Sequence, residues 1–272
     1  MPPSEWQRDP APVRFDCGPL KSRCGKTIFV SLCCGLLIGA CGPTQKDIEN
    51  GQIHYDLGVS AMENAHDAQS ALRELQIALA SNPNMSDAQN ALGLVYHLML
   101  HRPEEAVTHY EISLKLDPKN SEAANNLGNA FLDLNRFREA AAMYERALSN
   151  DLYRTPYIAQ GNLGWALYKQ GDVPAGVSHL RAAIQINPDF CQGYRSLGLI
   201  ASEQGQPAEA EAQFSLFVRH CANMAESHYR LGMVLLKKGD QQAAREQFGL
   251  CSSQPQGDLT IECERLLKMM QQ

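Results

Sequence analysis

The sequence predicts an all-α chain built as a solenoid of six two-helix repeats and closed by a C-terminal capping helix. Three observations carry this. Alanine and leucine dominate and aromatic residues are only 7% of the 272, a composition that favours helix. The pair Leu-Gly recurs six times, with the glycines Gly58, Gly93, Gly128, Gly164, Gly198 and Gly232 spaced 35, 35, 36, 34 and 34 residues apart. A fixed period of this length marks a repeat architecture. Prolines close several of the units at Pro83, Pro118 and Pro188.

Each unit can be read from its glycine outward. Ala140, Tyr144 and Ala147 follow Gly128; Ala210 and Phe214 follow Gly198; Ala244 and Phe248 follow Gly232. Small residues let the first helix (helix A) and the second (helix B) approach closely, and the larger side chains fill the remaining space. Proline ends helix B because it lacks an N–H and disfavours helix in the residue before it. Gly171, Gly205 and Gly239 stand seven after their repeat glycines, where the chain turns between helices, and Asn135 takes that place in the third unit. Both residue types tolerate left-handed backbone. The first two units carry one extra residue each, placed between the helices around His66 and around His101-Arg102-Pro103. The third lacks its closing proline and has Asp151-Leu152 instead.

This pattern resembles the tetratricopeptide repeat, which implies a right-handed superhelical solenoid. The six repeats fall at 51–85, 86–120, 121–156, 157–190, 191–224 and 225–257. Residues 258–272 form the capping helix over the exposed end, with Asp258 as its N-cap and Glu262 near its start.

The N-terminus reads differently. Arg8, Arg14, Lys21, Arg23 and Lys26 precede the uncharged run Thr27–Ala40. That run is too short to span a bilayer, which takes ~20 residues, and fits the core of a signal peptide. Ile38-Gly39-Ala40-Cys41 resembles a bacterial lipobox, which implies cleavage before Cys41 and a diacylglycerol thioether and acyl chain on that residue. Several acyl chains on one residue anchor a protein stably. Gly42 rather than Asp follows the cysteine, which implies the periplasmic face of the outer membrane. Residues 1–40 are thus the lipoprotein signal peptide and 41–50 a polar lipidated linker. The region before the apolar run is long and contains Asp9 and Asp16, so translation is expected to start at Val13 or Leu20. The first 40 residues hold five basic and three acidic residues, so their removal takes the net charge from −6 to −8. No basic stripe is present, which argues against a nucleic acid partner.

Cys17, Cys24, Cys33 and Cys34 precede the cut. Cys191, Cys221, Cys251 and Cys263 remain beside Cys41, in an oxidising compartment. Helix pairing brings Cys191 at the start of one helix beside Cys221 at the end of the next. Cys251 and Cys263 are equidistant from the turn at Gly257. The expected disulfides are Cys191–Cys221 and Cys251–Cys263, with buried free thiols as the other reading. Spacings of 30, 30 and 12, without a C-x-x-C, give no metal site.

In the repeat family the concave face formed by helices A is the binding surface, at positions three before, one after and four after each glycine. Here these are Tyr55, Val59 and Met62; Asn90, Leu94 and His97; Asn125, Asn129 and Leu132; Gly161, Trp165 and Tyr168; Arg195, Leu199 and Ser202; Tyr229, Met233 and Leu236. Trp165 and Tyr168 are the expected anchors, since aromatics give much contact area per lost rotamer. The amides of Asn125, Asn126, Asn129 and Asn162 both donate and accept, which suits a ligand backbone; packing between repeats is their other reading. Arg195 and Lys169 suit an acidic group. His97 reads as a structural histidine. No nucleophile motif, Gly-rich phosphate loop or carboxylate pair points to an enzyme, a cofactor or a small-molecule substrate.

Lipobox, six repeats and the C-terminal cysteines together resemble the type IV pilus pilotins of the PilF/PilW/Tgl type over residues 37–272. The resemblance implies a non-enzymatic outer-membrane lipoprotein whose groove holds a secretin protomer, needed for secretin multimers, pili and twitching motility. The alternative is an accessory lipoprotein that regulates a peptidoglycan synthase or hydrolase.

Overall fold

The computed structural model describes residues 42–270. The expected signal peptide, the lipobox-like stretch with Cys41 and both expected translation starts lie outside the described residues.

Thirteen α-helices and no strand make up the described chain. They pair as A and B: α1 Gln45–Ser60 with α2 Ala68–Ser81, α3 Ser86–Leu94 with α4 Pro103–Leu116, and α5 Ser121–Asp133 with α6 Phe137–Leu148. Then come α7 Pro156–Lys169 with α8 Val173–Ile186, α9 Cys191–Glu203 with α10 Pro207–His220, and α11 Ala225–Lys238 with α12 Gln241–Ser252. The last, α13 Asp258–Met269, packs on the sixth pair through Cys263, Leu266 and Leu267.

The repeat glycines are dictated by their neighbours on helix B. A Cβ on Gly93 would stand 2.4 Å from the Tyr110 ring, on Gly128 2.5 Å from that of Tyr144, and on Gly198 2.4 Å from that of Phe214. These rings are buried, so only glycine admits them. In the fourth repeat Leu180 replaces the aromatic ring, and Gly164 and Gly176 bring α7 and α8 into backbone contact, with 2.7 Å from either added Cβ to the other's carbonyl.

Helix ends follow from local chemistry. Asp67, Asn120, Asp172 and Asp240 accept from backbone N–H groups of the helices they precede, and Pro103, Pro156 and Pro207 begin helices where no N–H is needed. Pro83, Pro118 and Pro188 each stand one residue beyond the helix B cap. Asn135, Gly171, Gly205 and Gly239 adopt positive φ, as their place seven after the glycine requires.

Four expectations need correction. The extra residues of the first two repeats are inside helix A, not between the helices. They are absorbed as π-helical turns at Ala61–Ala65 and Val95–Met99, one residue wider than an α-turn. The left-handed residues His66 (φ 48°) and His101 (φ 54°) then stand eight after the glycine. The stretch 41–50 is not all linker: α1 starts at Gln45, with Thr44 and Asp47 closing a capping box. The N-cap of α13 is Gly257, one residue before Asp258. The hydroxyl of Thr260 accepts from the Gly257 N–H at 2.8 Å, whereas Asp258 is already helical. Finally, α7 starts at Pro156, one residue ahead of the boundary at 157.

Cys191 is bonded to Cys221 (S–S 1.98 Å), joining the start of α9 to the cap of α10, and Cys251 to Cys263 (2.06 Å), joining α12 to α13.

Candidate functional site

The eighteen positions chosen on helices A do not share one environment. Asn90, His97 and Asn125 are buried. Gly161 is covered by Phe190, whose ring would stand 2.3 Å from an added Cβ. Tyr55 and Met62 pack on the core of the first two repeats, and Leu94 and Leu132 on that of the middle ones. Trp165, Tyr168, Val59, Asn129, Arg195, Leu199, Tyr229, Met233 and Leu236 are half-buried, and Ser202 is exposed.

The asparagines bond one another across repeats. Asn126 donates to the Asn90 carbonyl at 3.1 Å. Asn162 donates to Asn125 at 3.2 Å and to Asn129 at 3.0 Å, and accepts from Gln192 at 3.3 Å. The Tyr144 hydroxyl also donates to Asn129, at 2.8 Å. This ladder ties α3, α5, α7 and α9 together, and engages at least one end of each of these amides within the solenoid. Asn90 and Asn125 are buried and their carbonyls accept from the neighbouring repeat, which fits packing between repeats; Asn129 is half-buried and only its carbonyl is engaged.

A second set of cross-repeat bonds was not anticipated. His97 meets Asp133 (Nε2–Oδ2 2.8 Å), Tyr168 donates to Glu203, and Arg195 donates to Glu226 at 2.7 Å. In the first two pairs the residue four after one glycine meets the residue five after the next. That regularity is present in the sequence. Burial, then the bond to Glu203 and its charge, pushes the Tyr168 hydroxyl up to about 12, so it remains a donor. Burial pushes the Glu226 carboxyl up, but bonds and charge from Arg195 and Arg230 outweigh it and hold it below its usual value. One carboxylate thus serves two guanidiniums, and the Arg195–Glu226–Arg230 cluster keeps a net positive charge.

What remains open on the helix A face is apolar and aromatic. Trp165 and Tyr168 lie with ring centroids 5.3 Å apart, and the Lys169 ammonium stands 4.9 Å and 5.6 Å from them. Such a cation is held by the ring faces, and Lys169 forms no ion pair among the described residues. In the next two repeats, the fifth and sixth, a cleft of about 330 Å³ is lined by Leu199, Ser202, Tyr229 and Met233, with Phe214 and Lys237. It thus gathers four of the expected groove residues in one place. A space of this size takes one or two apolar side chains. Among the described residues no cluster of His, Cys, Asp and Glu could hold a metal ion, and no helix is long and apolar enough to cross a membrane.

The chain is similar to solved structures of known proteins. PilW, a widely conserved type IV pilus biogenesis factor, superposes with a TM-score of 0.69 at 25% identity, covering 78% of this chain and 97% of PilW. PilF of Pseudomonas aeruginosa gives 0.66 at 19% identity over 82% of this chain and 100% of its own. MamA gives 0.53 at 22% identity over 71% and 96%; these two likenesses show the fold. No curated protein sequence matches the chain. Two family models, both described as tetratricopeptide repeat, match residues 125–189 with 195–255 and residues 84–152. Between them they cover more than half of the chain and coincide with the helix pairs built around the repeat glycines: the chain belongs to the tetratricopeptide repeat family.

Proposed function

We propose that this chain is a pilotin, a lipoprotein anchored through Cys41 on the periplasmic face of the outer membrane and required to assemble the type IV pilus secretin. The observation that carries this reading is the likeness to PilW, which spans nearly the whole of that pilus biogenesis factor. The lipobox-like Ile38-Gly39-Ala40-Cys41 supports the anchor.

The mechanism uses binding and position alone. The anchor confines the solenoid to the membrane and raises its effective concentration for a partner at that membrane. The open part of the helix A face offers the aromatic pair Trp165 and Tyr168 and the apolar cleft at Leu199, Tyr229 and Met233. A secretin segment held there keeps its apolar side chains covered until protomers meet. The cross-repeat bonds hold the helices A at fixed spacing, so the groove is ready before the partner arrives and little ordering is lost on binding.

The test is a deletion strain whose outer membranes are run on a gel that preserves secretin multimers. The expected result is loss of multimers, restored by the wild-type chain and not by Cys41→Ala. Unchanged multimers in the deletion strain would refute the reading.

A further inference from the structure

The two ends of the solenoid are finished differently. At the C-terminal end α13 covers the last pair. At the N-terminal end α1 presents the face that, in every later repeat, lies under the preceding one.

The leucine of the Leu-Gly pair is 2–7% exposed in Leu92, Leu127, Leu163, Leu197 and Leu231, whereas Leu57 is 49% exposed. The residue five before the glycine is buried in the same five repeats: Ala88, Ala123, Ala159, Gly193 and Ser227. Its counterpart in the first repeat is Ile53, 57% exposed. The stacked repeats all use a small residue there because a neighbouring helix presses against it. A bulky isoleucine does not suit that contact, so the end face is not built for another repeat.

The covalent chain restricts what can cover it. Only Gly42, Pro43 and Thr44 separate Cys41 from α1, and four residue steps reach at most roughly 14 Å. Resting on the anchor of the proposed function, we infer that this end face of α1 lies against the lipid surface itself. Lys46, Ile53, Leu57 and Ser60 are all exposed and follow at spacings of seven, four and three, one face of a helix. Glu49 and Asp56, also exposed, border this strip along one side, so the face suits neutral lipid rather than an anionic surface. The isoleucine and leucine enter the interface, and Lys46 at the tether end reaches the phosphates by extending its chain. The first repeat is thus the foot of the solenoid, and the cleft of the fifth and sixth repeats is held away from the bilayer.

The experiment uses the full mature chain, lipidated in cells and reconstituted in phosphatidylcholine vesicles that contain a nitroxide-labelled lipid. With Cys41 lipidated and Cys191, Cys221, Cys251 and Cys263 bonded, one introduced thiol takes a fluorophore cleanly. Leu57→Cys and Ile53→Cys report on the end face, and Leu152→Cys, at an 86% exposed site in the third repeat, is the control. Quenching several-fold greater at 53 and 57 than at 152 is expected, with no dependence on added phosphatidylglycerol. Equal quenching at all three sites in a chain whose mass shows the lipid overturns this inference and leaves the anchor standing. A mass showing unmodified Cys41 overturns the anchor and the inference with it.

Discussion

Replacing Gly128 by alanine tests the packing rule on which the solenoid rests. The added Cβ would stand 2.5, 2.8 and 2.9 Å from three atoms of the Tyr144 ring, against a normal contact of about 3.5–4 Å. The ring must move by about an ångström at a site that is fully buried, and its hydroxyl is fixed to Asn129 at 2.8 Å. Overpacking costs about 1–3 kcal/mol, and loss of the hydrogen bond about 1 kcal/mol more. Alanine in a helix interior returns about 1 kcal/mol. The net is a destabilisation of about 2 kcal/mol, or ~4–8 °C in Tm for a chain of this size. Gly249 in α12 is the control, since a Cβ there meets nothing within 4 Å. Gly249→Ala should gain about 0.5–1 kcal/mol from helix propensity alone. Thermal melts followed by circular dichroism at 222 nm read both. Opposite signs for the two substitutions are expected; a Gly128→Ala variant as stable as the wild type would refute the close-approach argument.

Three further outcomes follow from the same structure. Tyr110 and Tyr144 fill equivalent places, but the buried Tyr110 hydroxyl has no partner among the described residues because Leu94 stands where Asn129 does. Tyr110→Phe should therefore be neutral or stabilising and Tyr144→Phe destabilising by about 1 kcal/mol, as measured by urea unfolding. Replacing both Cys251 and Cys263 by alanine opens a loop of 12 residues and should cost on the order of 3 kcal/mol; limited proteolysis should then release α13 first. Glu226 carries a carboxyl held below its usual value of 4.5, so its contribution is full above that value and is lost as pH falls through the lower folded one. The difference in Tm between wild type and Glu226→Gln should be present at neutral pH and vanish in acid.

The period of the chain was plain because each repeat needs a glycine where a buried helix B ring or leucine presses on helix A, and those glycines stand 34–36 residues apart. The location of the two extra residues was hidden for a physical reason. An insertion in the last turn of helix A and one in the following loop give the same spacing between glycines, and only backbone geometry separates them. The left-handed histidines were hidden with it, since His66 and His101 are not the Gly or Asn that usually mark such a turn. The groove was legible in outline and not in role. An asparagine amide has the same chemistry toward a ligand as toward the next repeat, and burial of Asn90 and Asn125 decided between them. The pairs His97–Asp133 and Tyr168–Glu203 follow a rule of position from one repeat to the next, which a comparison of adjacent repeats would have exposed.

The proposed function requires the helix A face to bind a secretin segment. From Cys41 onward Trp165 is the sole tryptophan, and it stands on that face beside Tyr168. Its emission is therefore a direct reporter. The decisive measurement is a titration of the chain beginning at Cys41 with a tryptophan-free periplasmic secretin fragment, reading Trp165 fluorescence. A saturable change, weakened at least tenfold by Met233→Glu in the cleft, is the predicted result. A complex that forms with Trp165 emission unchanged and Met233→Glu without effect would contradict the account.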